Sequence, residues 1–141
     1  KHFQSAMQTV RQLEFALFDF RMHMTAAAMT GQDVQATLDK VRQEVAVNIP
    51  PEWVRFQNAF NHIFSGGYSA GYYSYKWAEL LAADGYSKFE ENGILSRQTG
   101  EDFLHNVIEP GCSKPMMELY VAYRGRKPTI DALLKYSGLA D

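Results

Sequence analysis

The 141-residue chain carries a formal charge of −2 at pH 7, is 46% hydrophobic and has one cysteine. That apolar content excludes a disordered chain and can bury one domain's core, while the near-neutral balance, with Lys and Arg scattered, gives no electrostatic case for nucleic acid or an anionic membrane. Cys112 alone excludes an internal disulfide and a multi-cysteine zinc site.

Cys112 is therefore read as a buried structural thiol. No run approaches the roughly 18 apolar residues of a membrane span, and no signal peptide stands at the start. Lys1 leads straight into a helical pattern, so the chain reads as a fragment whose beginning is missing.

The fold class is all-α, taken here as one helical domain or subdomain over residues 1–141. Met7, Val10, Leu13, Leu17, Phe20 and Met24 recur at helical spacing, with Phe15, Phe18 and Met22 beside them. They predict a helix from Lys1 to about Thr30, apolar too far round to lie on a surface, ended by Gly31. A half-exposed helix follows from about Asp33 to Val47, with Val34, Leu38, Val41 and Val45 as its stripe. Pro50 and Pro51 stop it. Trp53, Phe56, Phe60, Ile63 and Phe64 are then apolar enough to lie against a core.

The chemically unusual stretch runs from Phe60 to Leu81. His62 precedes Gly66-Gly67, and the pair opens a helical pattern from near Tyr68 to about Glu91. At 100° per residue, Tyr68, Tyr72 and Tyr75 fall within roughly 60° of one another, while Tyr73, Trp77, Leu80 and Leu81 take the opposite, core-facing side. Phenol and imidazole groups on one face suit hydrogen bonding to a ligand, and glycines permit positive φ and close approach. The plain alternative is that the tyrosines pack against another part of the protein and His62 is an ordinary hydrogen-bonded histidine.

Beyond the Asn92-Gly93 break, Ser96 caps a helix from about Arg97 to Glu109, halted by Pro110-Gly111. Ser113-Lys114-Pro115 opens another, with Pro115 in the first turn, Met116, Leu119, Tyr120 and Tyr123 as its buried candidates, and Gly125 at its end. Pro128 starts a short last helix bearing Ile130, Leu133, Leu134 and Tyr136, closed by Gly138.

Catalytic motifs are sparse. His2, His23, His62 and His105 form no i, i+4 pair and no His-Glu-x-x-His, so zinc binding by this chain alone is not expected. There is no Gly-x-Ser-x-Gly elbow and no phosphate-binding glycine loop. Arg124, Arg126, His23, His105 and the Met7–Met24 helix are read as structural.

The run His62-Ile63-Phe64-Ser65-Gly66-Gly67-Tyr68-Ser69-Ala70-Gly71-Tyr72-Tyr73-Ser74-Tyr75 closely resembles the C-terminal part of the zinc metallopeptidase family that includes thimet oligopeptidase and oligopeptidase A. Arg11-Gln12-Leu13-Glu14-Phe15-Ala16-Leu17-Phe18-Asp19 and Arg124-Gly125-Arg126-Lys127-Pro128 extend the likeness over nearly the whole chain, and it reads most like the oligopeptidase A branch. The resemblance implies the C-terminal helical portion of a larger, deeply clefted, cytoplasmic enzyme that hydrolyses short peptides with zinc. Its ligands, a His-Glu-x-x-His helix and a further glutamate, would lie upstream in the same polypeptide.

On that resemblance His62 and Tyr75 are the catalytic donors to the scissile carbonyl oxygen, Tyr68 holds substrate backbone, Tyr72 lines the cleft, and Gly66-Gly67 form a loop closing over peptide. The isolated chain is expected to be inactive. A different class of function stays open: an autonomous helical module binding a peptide or protein through Tyr68, Tyr72 and Tyr75 without catalysis.

Overall fold

A computed structural model describes residues 2–25 and 27–140. Among them it shows seven α-helices and no strand: α1 Ser5–His23, α2 Gly31–Val45, α3 Phe56–Ala59, α4 Ser74–Asn92, α5 Arg97–Phe103, α6 Met116–Arg124 and α7 Asp131–Tyr136. The all-α expectation holds. The chain forms two compact units, Lys1–Lys76 and Trp77–Asp141, each described here by itself.

In the first unit α1 presents Phe15, Phe18 and Met22 to Leu38 and Val41 of α2 and to Phe60 and Ile63 beyond α3. Burying an aromatic or aliphatic side chain of this size contributes about 1.5–3 kcal/mol each. Phe15 stacks on Phe56 at a centroid separation of 4.6 Å and meets Phe60 at 5.4 Å. A buried ion pair joins the same two long helices, with Arg42 Nε donating to Glu14 Oε1 at 3.0 Å.

Several boundaries differ from those expected. Gly31 does not end the first helix; it begins the second, because Thr30 and Asp33 form a capping box in which Thr30 Oγ1 accepts from Asp33 N at 3.3 Å and Asp33 Oδ2 accepts from Thr30 N at 2.8 Å. The first helix stops at His23, seven residues before the expected end. Its outer side is less enclosed than its composition implied, with Leu13, Phe20 and Met24 exposed. Phe60 and Ile63 are buried as expected, whereas Trp53, 78% exposed, and Phe64 point outward. Trp53 lies in the irregular stretch ahead of α3, where no helical period turns a side chain inward.

The tyrosine helix was placed too early. Gly67 at φ 82° and Ala70 at φ 55° are left-handed, so residues 69–73 form turns and α4 starts at Ser74. Tyr73 and Trp77 are exposed rather than buried; Tyr73 lies 5.2 Å from Phe20.

The second unit is organised around Asp84, whose buried carboxylate accepts from Tyr120 Oη and takes both terminal nitrogens of Arg126, at 2.6 and 3.0 Å. Tyr123 Oη donates to Gly85 O at 2.9 Å, and Arg124 Nε donates to Asp84 O at 3.1 Å. Arg124 and Arg126 thus do the structural work the sequence suggested. Ser96 caps α5 by accepting from Thr99 N at 3.3 Å, and the helix then widens into a π turn over Leu104–Ile108. Pro115 stands at the N-cap of α6, one residue ahead of the first turn, and Gly125 at φ 82° closes that helix. Leu119, Tyr120 and Tyr123 are buried while Met116 is exposed. Cys112 is exposed as well, because it falls in the turn between Pro110 and α6 rather than on a packed face.

Candidate functional site

The chain's most unusual residues are assembled by a turn rather than by a helix face. Asn61 O accepts from Ser65 N at 2.9 Å and Gly66 N at 2.8 Å, folding the backbone tightly over His62. At Gly66 a Cβ would stand 2.7 Å from His62 Cα, so only glycine fits without backbone movement. Gly67 has open space around it but a positive φ of 82°. The chain then returns: Tyr68 N donates to His62 O at 3.0 Å and Ser69 Oγ to Ile63 O at 2.7 Å.

Asp19, fully buried on α1, anchors the next step. Its Oδ1 accepts from Ala70 N at 2.8 Å and its Oδ2 from Tyr72 N at 2.9 Å. His23 Nδ1 lies 2.9 Å from the same Oδ1. Ser74 N donates to Gly71 O at 3.0 Å, which hangs the start of α4 on this turn. Tyr72 Oη donates to Gln12 Oε1 at 2.9 Å.

The result is a ring of aromatics about His62. Its imidazole centroid lies 6.1 Å from Tyr68, 5.9 Å from Tyr72 and 6.5 Å from Tyr75. Tyr68 stacks on Tyr75 at 4.9 Å, and Tyr72 meets Tyr75 edge-on at 5.1 Å. Tyr72 also packs on Phe15 and Phe60, which ties the ring to the core beneath. His62 is exposed, Tyr75 is 38% exposed, and Tyr68 and Tyr72 are half-buried.

Hydrogen bonding to Tyr68, helped by burial, pushes the Tyr75 phenol up to about 12. Burial raises Tyr72 as well. Both therefore stay protonated over the neutral range and can donate. Phenols held in this way, together with an imidazole N–H, are suited to hold an oxygen on which negative charge builds up. None needs to be a nucleophile.

All six residues singled out in the sequence come together here: His62, Tyr68, Tyr72 and Tyr75 as rings, Gly66 and Gly67 as the connection. The helical-face reasoning grouped these residues through a geometry that Ala70 and Gly67 rule out. It missed Asp19 and Gln12. Asp19 stands between Phe18 and Phe20, but α1 carries other polar residues as well, so neither was set apart by its sequence surroundings.

Among the described residues no three His, Cys, Asp or Glu side chains gather in a way that could hold a metal ion. No helix among them is long and apolar enough to cross a membrane. A groove of about 430 Å³ in the same unit is lined by Gln35, Asp39, Arg42, Pro51, Glu52 and Arg55 among others, and by none of the aromatic ring.

Comparison with known proteins bears on this geometry. The model of peptidase family M3 matches residues 1–139. Oligopeptidase A of Salmonella typhimurium is 50% identical over 139 residues, 99% of this chain and 20% of that protein. Oligopeptidase A of Escherichia coli is 49% identical and that of Haemophilus influenzae 50% identical, each over 139 residues, with the same 99% and 20% shares. The chain thus spans about a fifth of the length of the curated relatives it matches.

Proposed function

The chain belongs to peptidase family M3, and on that premise we propose that it is the substrate-binding portion of a longer, cytoplasmic zinc oligopeptidase that hydrolyses short peptides. Family membership and the 50% identity to an oligopeptidase A support the reaction class. What carries the reading at the level of residues is the convergence of His62, Tyr68 and Tyr75 about one exposed imidazole, with the Tyr75 phenol raised.

The described residues offer no ligand set for zinc, so in this reading the metal is held by another part of the polypeptide. When bound there, zinc supplies an activated water as nucleophile. The chain's own groups act on the substrate side. His62 and Tyr75 donate to the scissile carbonyl oxygen as it gains charge, Tyr68 holds the peptide backbone, and Tyr72 forms the wall between them. Gly66-Gly67 close over the bound peptide. By itself the chain binds and orients, and it does not hydrolyse.

The test is Tyr75→Phe in the full-length enzyme, with kcat and KM measured separately on a short peptide. Loss of a donor that acts only in the transition state lowers kcat by on the order of 100- to 1,000-fold, equivalent to about 2.7–4 kcal/mol, and leaves KM nearly unchanged. Unaltered kcat would remove Tyr75 from this role.

A further inference from the structure

We propose that Asp19 is a positioning residue for the aromatic ring, fixing the turn that sets His62, Tyr68, Tyr72 and Tyr75 against one another; this rests on the catalytic reading of that ring given above. Asp19 is fully buried, and each of its carboxylate oxygens takes one backbone N–H of the turn, Ala70 at 2.8 Å and Tyr72 at 2.9 Å. Those donors are 51 and 53 residues away in sequence. A carboxylate has acceptors to spare for both, and such charge-assisted bonds are stronger than neutral ones.

The arrangement bears a strain that needs holding. Ala70 sits at φ 55°, a left-handed conformation that disfavours any residue with a Cβ. The N–H of that residue is the one Asp19 takes. Immediately downstream Gly71 N donates to Tyr68 O at 2.8 Å and Tyr75 N to Tyr72 O at 3.3 Å, so the backbone that bears both phenols inherits its position from this clamp. Reacting groups held even an ångström out of place lose much of their effect. Asp19 touches neither substrate nor metal in this scheme; it acts through the tyrosines.

The experiment is a double-mutant cycle in the full-length enzyme, with kcat, KM and bound zinc measured for Asp19→Asn, Tyr75→Phe and the pair. Asparagine keeps the shape but offers an acceptor on one side only, so one of the two N–H groups loses its partner. Asp19→Asn is expected to lower kcat roughly 10- to 100-fold with KM and zinc content little changed. In the Tyr75→Phe background the same change is expected to cost less than about threefold, since the donor it would misplace is gone.

Adding Ala70→Gly to Asp19→Asn is expected to restore part of kcat, because glycine accepts the left-handed conformation unaided. A purely structural loss in α1 would not respond to that second change. Should Asp19→Asn fold poorly, the cycle is run in the Ala70→Gly background. Effects of Asp19→Asn and Tyr75→Phe that simply add overturn the inference alone. An enzyme unfolded in both backgrounds makes Asp19 a folding residue and also overturns it. Tyr75→Phe with full kcat overturns the catalytic reading first, and the inference with it.

Discussion

Two groups of tyrosines in this chain have opposite fates. Tyr120 and Tyr123 in the second unit are buried, and their hydroxyls end on protein acceptors, the Asp84 carboxylate and Gly85 O. Tyr68 and Tyr75 in the first unit lean on one another and on His62, with Tyr75 exposed and Tyr68 half-buried. Both Tyr120 and Tyr75 have raised pKa values, yet for different reasons. Burial is the foremost cause at Tyr120, followed by the bond to Asp84, whereas at Tyr75 it is the bond to Tyr68. A raised phenol is thus no sign of function by itself. What separates the two groups is whether the hydroxyl's partner is an acceptor inside the fold or a neighbouring phenol.

The sharpest way to break the comparison is Asp84→Ala. It takes the carboxylate partner from both terminal nitrogens of Arg126 and leaves the Tyr120 hydroxyl without its acceptor. Loss of one partner of a buried charge network costs about 3–5 kcal/mol, to be read from chemical unfolding of the full-length protein. If stability is unchanged, the closed group is not closed. The same carboxylate links stability to pH. Burial pushes Asp84 up, but the hydrogen bonds from Arg126 and Tyr120 and the two guanidinium charges outweigh it and hold it below the ordinary 3.8. Its contribution is therefore complete above about pH 4 and is lost as pH falls through the lower folded value. Asp84→Asn should flatten that acid limb of the unfolding profile.

The next effect belongs to the open group. Gly66→Ala places a methyl 2.7 Å from the backbone of His62, so the turn must shift. Overpacking of this kind costs about 1–3 kcal/mol, and because the displaced atom belongs to His62, kcat/KM should fall with it. Gly67→Ala meets no atom within 4 Å and bears only the strain of φ 82°, about 1–2 kcal/mol. Equal losses for the two would mean that conformation, not proximity, governs the connection.

The smallest change is spectroscopic. Tyr68→Phe should bring the Tyr75 phenol down from about 12 toward 10, seen in an ultraviolet titration of tyrosinate. Removing Asp84's charge should leave Tyr120 raised, since burial is the larger cause there. A Tyr75 that stays high without Tyr68 would place its cause in the surrounding burial instead.

Much of this was legible in the residues themselves, because apolar spacing and cap chemistry act locally. Phe15, Phe18, Leu38, Val41, Phe60 and Ile63 were recognisable as core, and Ser96 and Gly125 as helix ends. The four aromatic members of the ring were legible as a set of residue types. Their assembly was not, since it depends on Asp19 reaching 51 residues forward to hold a strained alanine, a long-range contact with no periodic signature. Gly31 misled for a related reason. Glycine ends helices often, but a reciprocal Thr30–Asp33 cap marks a beginning, and that pair decided the boundary. Cys112, Trp53 and Phe64 show the limit of residue type as a guide to burial, for all three lie in turns or irregular chain where packing is not imposed by period.

The turn from Ala70 to Gly71 also inverts the usual expectation of which residue a random library would spare. Gly71 has no positive φ, and a Cβ there would meet its nearest neighbour, Tyr68 O, at an ordinary 3.5 Å. Alanine should pass at position 71. Position 70, where an alanine already sits in the left-handed region, admits glycine or asparagine but should reject valine and isoleucine outright. A family of functional variants would then drift in composition at the glycine and stay narrow at the alanine, so the invariant that a survey of such variants recovers would be a backbone angle rather than a residue name.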